Sequence, residues 1–161
     1  MAERFDVIVI GGGPAGSLCA ALLRRYTPTM RVALIERDAF PRYHIGESLI
    51  PFAVGPLKRI GMIPKMKASH FVKKYSVTFV QPDGRRSTPF YFFNRYDSET
   101  VAQTWQVLRS EFDLMLMQHA REHGANVLEE TSVTALIKED GRVVGVRAQD
   151  KAGQPLEFRA P

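Results

Sequence analysis

Three glycines and one carboxylate carry the clearest chemistry in this sequence. Residues 11–16 read Gly-Gly-Gly-Pro-Ala-Gly, a Gly-x-Gly-x-x-Gly pattern, and Glu36-Arg37 follow about 20 residues after the last glycine. Gly11 suits a tight turn off a strand, and Gly13 lets a pyrophosphate approach the backbone. Gly16 lets a helix and strand pack closely. The amides of the helix start, around Ala15, then face the phosphates with the positive end of the helix dipole behind them. A carboxylate at Glu36 accepts from ribose hydroxyls and suits an unphosphorylated adenosine ribose. That points to NAD or FAD rather than NADP.

Other reactive side chains read more plainly. His44 reads as a hydrogen-bonded loop group. Glu47 is either an acid near a cofactor or a carboxylate that satisfies backbone amides. Lys73 and Lys74, taken as residues alone, are strand lysines facing solvent, because lysine is rarely buried. If they lie on a strand they point to opposite faces. No His, Cys or acid repeats at metal-ligand spacing, so no metal site is expected. Cys19 is the only cysteine. It reads as a small buried thiol on the first helix, and a redox role would need a partner cysteine.

The elements that must position these groups follow from periodicity. A β-α-β unit is expected over 5–10, 14–25 and 31–36, its helix inward through Leu18, Leu22, Ala15 and Cys19 and stopped by Tyr26-Thr27-Pro28. Residues 39–56 read as loop, with a short helix around 51–60. Residues 75–81 alternate as a half-buried strand, Pro82-Asp83-Gly84-Arg85 turns, and 88–93 return. A strand at 103–108 leads into a helix from Ser110, which is expected to cap it with Asp113 as the capping-box partner. Gly124 ends that helix. Residues 127–128, 131–137, 143–148 and 156–159 complete a meander, with Asp140-Gly141 as a hairpin turn. Trp105 and the run Tyr91-Phe92-Phe93 serve either core packing or the wall of a substrate pocket.

Composition narrows the classes. The chain has 161 residues, 45% hydrophobic and 24% charged, which fits one globular unit. No apolar run reaches membrane-spanning length, and no secretory signal is read. A single cysteine suits a reducing, cytoplasmic location. The net charge of +5 is spread over scattered pairs such as Arg24-Arg25 and Arg85-Arg86, so no nucleic-acid partner is expected.

Three further segments resemble one family. Phe40-Pro41-Arg42-Tyr43-His44-Ile45-Gly46-Glu47-Ser48-Leu49 looks like the segment after the second strand in flavin-dependent halogenases. Residues 105–116, with Arg109 and the pair Phe112-Asp113, resemble the strand-to-helix motif of the wider flavin monooxygenase superfamily. Lys74-Tyr75 with Phe79 resembles the segment carrying that family's active-site lysine. The resemblance is to non-tryptophan halogenases. The Trp-x-Trp-x-x-Pro segment is absent, and Trp105 is the only tryptophan.

This resemblance implies an α/β fold: a glutathione-reductase-like, Rossmann-type FAD-binding parallel sheet with a β-meander and part of a smaller β-rich substrate domain. The FAD portion would span about 1–70 and 104–161, and a hairpin insert at about 71–103 would belong to the substrate domain. The chain is expected to be the N-terminal part of a longer enzyme, with a second FAD motif and the halide site further on. Alone, it is expected to be poorly soluble. By resemblance, Gly11, Gly13, Ala15 and Gly16 bind the pyrophosphate and Glu36 with Arg37 the ribose. Ser48 lies in the loop lining the flavin, Arg109 lies near the flavin, and Val133 sits in the strand that touches adenine. Lys74 matches the catalytic lysine, with Lys73 one residue out of register as its rival. The implied chemistry uses FADH2 from a partner reductase, oxygen and a halide ion. It passes through a flavin hydroperoxide to hypohalous acid, which halogenates a phenol, a pyrrole or a carrier-protein-bound aromatic. The alternatives are a flavin monooxygenase or prenyl reductase of the same superfamily, and a non-catalytic FAD-binding fragment.

Overall fold

The computed structural model describes residues 2–94 and 102–161. The part of the hairpin insert over 95–101 therefore lies outside the described residues. The chain begins β1 (Glu3–Arg4), β2 (Val7–Ile10), α1 (Pro14–Tyr26), β3 (Val32–Ile35) and β4 (Glu47–Ser48). A 3-10 turn over Pro51–Ala53 leads into α2 (Val54–Arg59), α3 (Ile63–Ala68), β5 (Val72–Lys74), β6 (Ser76–Val77) and β7 (Phe90–Tyr91). Then come β8 (Thr104–Val107), α4 (Arg109–Glu122), β9 (Asn126–Leu128), β10 (Ser132–Glu139), β11 (Arg142–Gln149) and β12 (Pro155–Arg159). These elements form two compact units, residues 1–43 with 110–161, and residues 44–109.

The first unit contains a parallel sheet in the order β2-β3-β9 and a second sheet in the order β1-β12-β11-β10. The central strand β3, Val-Ala-Leu-Ile, is buried at every position, as a parallel strand covered on both faces must be. Phe5, Ala33, Ile35, Val146, Ala148 and Phe158 form one apolar cluster between the two sheets. Hydrophobic burial of this kind is the main favourable term in holding such layers together. The hairpin at Asp140-Gly141 has positive φ at both residues, 48° and 78°, as the type I′ turn expected from that dipeptide requires.

Three local expectations are corrected. Helix α1 buries Ser17, Ala20 and Ala21, and Cys19 is exposed. The small residues win the inner face because they allow close approach to the sheet, and Leu18 and Leu22 remain only half-buried. Helix α4 begins at Arg109, so Ser110 lies inside the first turn instead of capping it. Asp113 is fully buried, and its carboxylate approaches Arg42. Over 75–81 and 88–93 only β6 and β7 pair, with one isolated bridge between Val80 and Arg86. The short helix α3 is not among the expected elements, because Pro64, Lys65 and Lys67 mask its periodicity.

In the second unit β8 is central, with β4 on one side and β5 on the other, both antiparallel to it. Trp105 and Val107 of β8 are buried, as are Val54, Leu57, Ile60, Met62 and Met66 of the helical segment. Trp105 also lines a cavity of about 610 Å³ with Tyr75, Phe93, Ile63 and Pro64.

Candidate functional site

The first unit's site lies where β2 and β3 end. Gly11 turns the chain with φ +101°, a conformation open to glycine. A Cβ on Gly16 would lie 1.9 Å from the Gly11 carbonyl oxygen, so the helix and loop can only close on a glycine. Gly13 differs, since a Cβ there would meet only the Arg42 guanidinium, at 3.6 Å. Protein packing therefore does not explain this glycine. Helix α1 has Pro14 at its first position and no side-chain cap. Its first turn leaves the amides of Gly13, Ala15 and Gly16 without intrahelical acceptors.

Glu36 is the centre of the site and only 5% exposed. The Gly12 amide donates to its Oε2 at 2.6 Å, and the Asp38 amide donates to its Oε1 at 3.0 Å. A carboxylate offers roughly four acceptor positions, so about two remain open to further donors. The Thr131 amide donates to the Glu36 carbonyl at 2.9 Å, which ties the start of β10 to this corner. As a result Gly11, Glu36, Arg37 and Val133 line one cavity of about 420 Å³, together with Asp38, Arg42, Thr131 and Ser132. Its position beyond the carboxyl ends of parallel strands is where α/β sheets bind nucleotides.

Arg42 is the residue that the glycine motif does not reveal. Its guanidinium lies 3.8 Å from Glu36, 3.8 Å from Asp38 and 4.0 Å from Asp113. It also stacks over the Phe40 ring, 5.0 Å from the centroid. One cation thus faces three carboxylates beside the glycine loop. Its only sequence signal was its place in the Pro41-Arg42-Tyr43-His44 segment. Arg37, by contrast, is exposed and only loosely paired with Asp38 at 3.8 Å.

The second unit gathers the other candidates. Lys74 on β5 donates from Nζ to the Ser48 hydroxyl on β4 at 2.7 Å. Ser48 in turn donates to Gln106 Oε1 on β8 at 2.5 Å. Lys74 is half-buried and Lys73 is exposed. Their partners across β8 are Thr104 for Lys74 and Trp105 for Lys73, so the two lysines occupy opposite faces. A net hydrogen bond contributes about 1 kcal/mol, and ordering a lysine costs up to about 2 kcal/mol. Fold stability therefore gives no reason for holding Lys74. Arg109 forms an ion pair with Glu47 at 2.7 Å, which gives both residues a partner in this unit. Among the described residues no cluster of three or more His, Cys, Asp or Glu could hold a metal, and no helix is long and apolar enough to cross a membrane.

Fold and site together define a Rossmann-type FAD-binding domain. The tryptophan halogenase family profile matches residues 6–110. The chain belongs to that family of flavin-dependent halogenases. It is 41% identical over 143 residues to the 1H-pyrrole-2-carbonyl-[peptidyl-carrier protein] brominase of Pseudoalteromonas luteoviolacea, covering 89% of this chain and 32% of that protein. It is 39% identical over 160 residues to a flavin-dependent halogenase of Armillaria mellea, covering 97% of this chain and 28% of the relative. The myxobacterial chondrochloren halogenase, an FAD-dependent enzyme, superposes with a TM-score of 0.88 at 38% identity, over 98% of this chain and 36% of that one. The chain thus spans about a third of the length of the relatives it matches.

Proposed function

We propose that this chain is the FAD-holding part of a flavin-dependent halogenase acting on an electron-rich aromatic, a phenol, a pyrrole or a carrier-protein-bound substrate. The family match across residues 6–110 carries this reading. The pyrrolyl-carrier brominase among its relatives favours the carrier-bound class. We assign the dinucleotide-binding role to the first unit and the lysine to the second. Residues 71–103 are read as a hairpin insert of the substrate domain. The protein would work in the cytoplasm, beside a reductase that supplies FADH2.

The residues fit the cofactor. Gly11, Gly13, Ala15 and Gly16 would hold its pyrophosphate on backbone amides. Arg42 stands at Gly13 to add a positive charge. Glu36 would accept from the adenosine ribose, with Arg37 alongside, and the backbone near Val133 would border the adenine. By family resemblance Ser48 and Arg109 belong near the flavin. Bound and reduced, FAD would supply, with oxygen, the two-electron oxidation of halide to an electrophilic halogen. Lys74 receives that halogen as hypohalous acid, by hydrogen bond or as a haloamine. In the haloamine case an N–H is exchanged for N–halogen and water leaves. The substrate ring then takes the halogen and returns a proton.

A product assay tests the reading. The full-length protein is given FADH2 from an added reductase, oxygen, bromide or chloride, and a panel of phenols and pyrroles, free and carrier-bound. A halogen isotope pattern in the product mass is expected. Gain of one oxygen without halogen, or reduction of a polyene, would move the protein to the monooxygenase or prenyl reductase class.

A further inference from the structure

We infer that Ser48 and Gln106 are positioning residues that aim the Lys74 amine, an inference that rests on reading Lys74 as the halogen-handling lysine. Ser48 and Gln106 face each other across β4 and β8, and Val72 stands opposite Gln106 on β5. Lys74, two residues on, shares their face of the sheet. Strands are spaced about 4.8 Å apart, so β4 and β5 lie about 10 Å from each other with β8 between them. Lys74, opposite Thr104, therefore reaches across the central strand to Ser48.

The direction of this relay is fixed by chemistry. An ammonium only donates, and an amide oxygen only accepts. Ser48 accepts from Lys74 Nζ and must send its own proton elsewhere, and Gln106 Oε1 takes it. Gln106 thus gives the serine hydroxyl proton an acceptor of its own. One N–H of Lys74 is spent on Ser48, and the rest of the amine is left for a small incoming species.

The acceptors are also neutral. Among the described residues Lys74 forms no ion pair. The nearest acid in sequence to Ser48 is Glu47. It points to the opposite face of β4 and is held by Arg109 at 2.7 Å. A carboxylate at Ser48 would hold the amine as an ion pair, whereas a hydroxyl holds it without competing for it.

The test uses the full-length halogenase with FADH2, oxygen and bromide, and compares Ser48→Ala, Ser48→Thr, Gln106→Leu and Lys74→Ala. Ser48 and Gln106 are exposed, so all variants are expected to fold. For Ser48→Ala and Gln106→Leu, kcat for halogenated product should fall on the order of tenfold with KM nearly constant. In Gln106→Leu, oxidation of reduced flavin should continue at the parental rate, with the missing halogen trapped in solution as hypohalous acid. Ser48→Thr, which keeps the hydroxyl, should restore product. If Ser48→Ala and Gln106→Leu match the parent while Lys74→Ala makes nothing, the relay is wrong and the lysine stands. If product and flavin oxidation fall in step, Ser48 acts at the flavin and the relay is wrong. An active Lys74→Ala removes the lysine reading itself, and the relay with it.

Discussion

The two units build their functional corners in opposite ways. In the first, the groups we propose for binding are mainly backbone amides, and the key side chain, Glu36, is buried and pinned by the amides of Gly12 and Asp38. In the second, Lys74, Ser48 and Gln106 are exposed or half-buried and hold one another through side chains alone. A backbone-built site is part of the fold, so damage to it costs stability and binding together. A site built from side chains on a finished sheet can lose function while the fold stands. That suits a cofactor cradle in one case and a reactive amine in the other.

The sharpest way to break this contrast is Gly16→Ala. With its Cβ 1.9 Å from the Gly11 oxygen, the loop must move. Overpacking of this kind costs about 1–3 kcal/mol or more. Melting temperature and bound FAD should both fall. A variant that melts and binds like the parent would show that the cradle is not part of the fold.

Next in size is Arg42→Met, which removes the cation facing Glu36, Asp38 and Asp113. Removing one partner of a buried pair costs about 3 kcal/mol. Denaturant unfolding should show that loss, and FAD titration should show weaker binding. Glu36→Ala should follow with about 2 kcal/mol, since two amide donors lose their charged acceptor. Lys74→Ala should leave melting and FAD affinity within about 0.5 kcal/mol of the parent, yet abolish halogenated product. A large drop in melting temperature for Lys74→Ala would erase the distinction between the two sites.

The smallest effect concerns pH. Arg31 donates to the Asp6 carboxylate through its side chain and its backbone amide. These bonds hold the Asp6 carboxyl below its ordinary value, the side-chain bond most strongly. A lowered folded-state pKa gives stability that is present above the unfolded value, about 3.9, and is lost as pH falls through the folded value. Asp6→Asn should therefore melt slightly earlier than the parent at pH 7. The difference should vanish as the solution is acidified below about pH 4. A difference that persists in acid would mean that the pair acts through packing.

The β-α-β unit, the meander and the hairpin at Asp140-Gly141 were legible because their periodicities and turn residues are local. The hairpin over 75–81 and 88–93 was legible in place but not in length, since only β6 and β7 pair as strands there, and the helix α3 was not legible. Cys19 was misplaced because leucine and cysteine spacing suggested the inner face, whereas close packing on the sheet selected Ser17, Ala20 and Ala21. Arg42 and Asp113 lie far apart in the chain and meet only in the folded unit.

The sequence by itself determined the glycine loop, the acid 20 or so residues on, and the family, because backbone geometry demands particular residue types at a fixed spacing. Only the tertiary structure decided which lysine turns toward Ser48 and Gln106, and that Arg42 stands among three carboxylates. Strand register and the folding of the chain bring together groups between 4 and 71 positions apart, and no local pattern encodes such meetings.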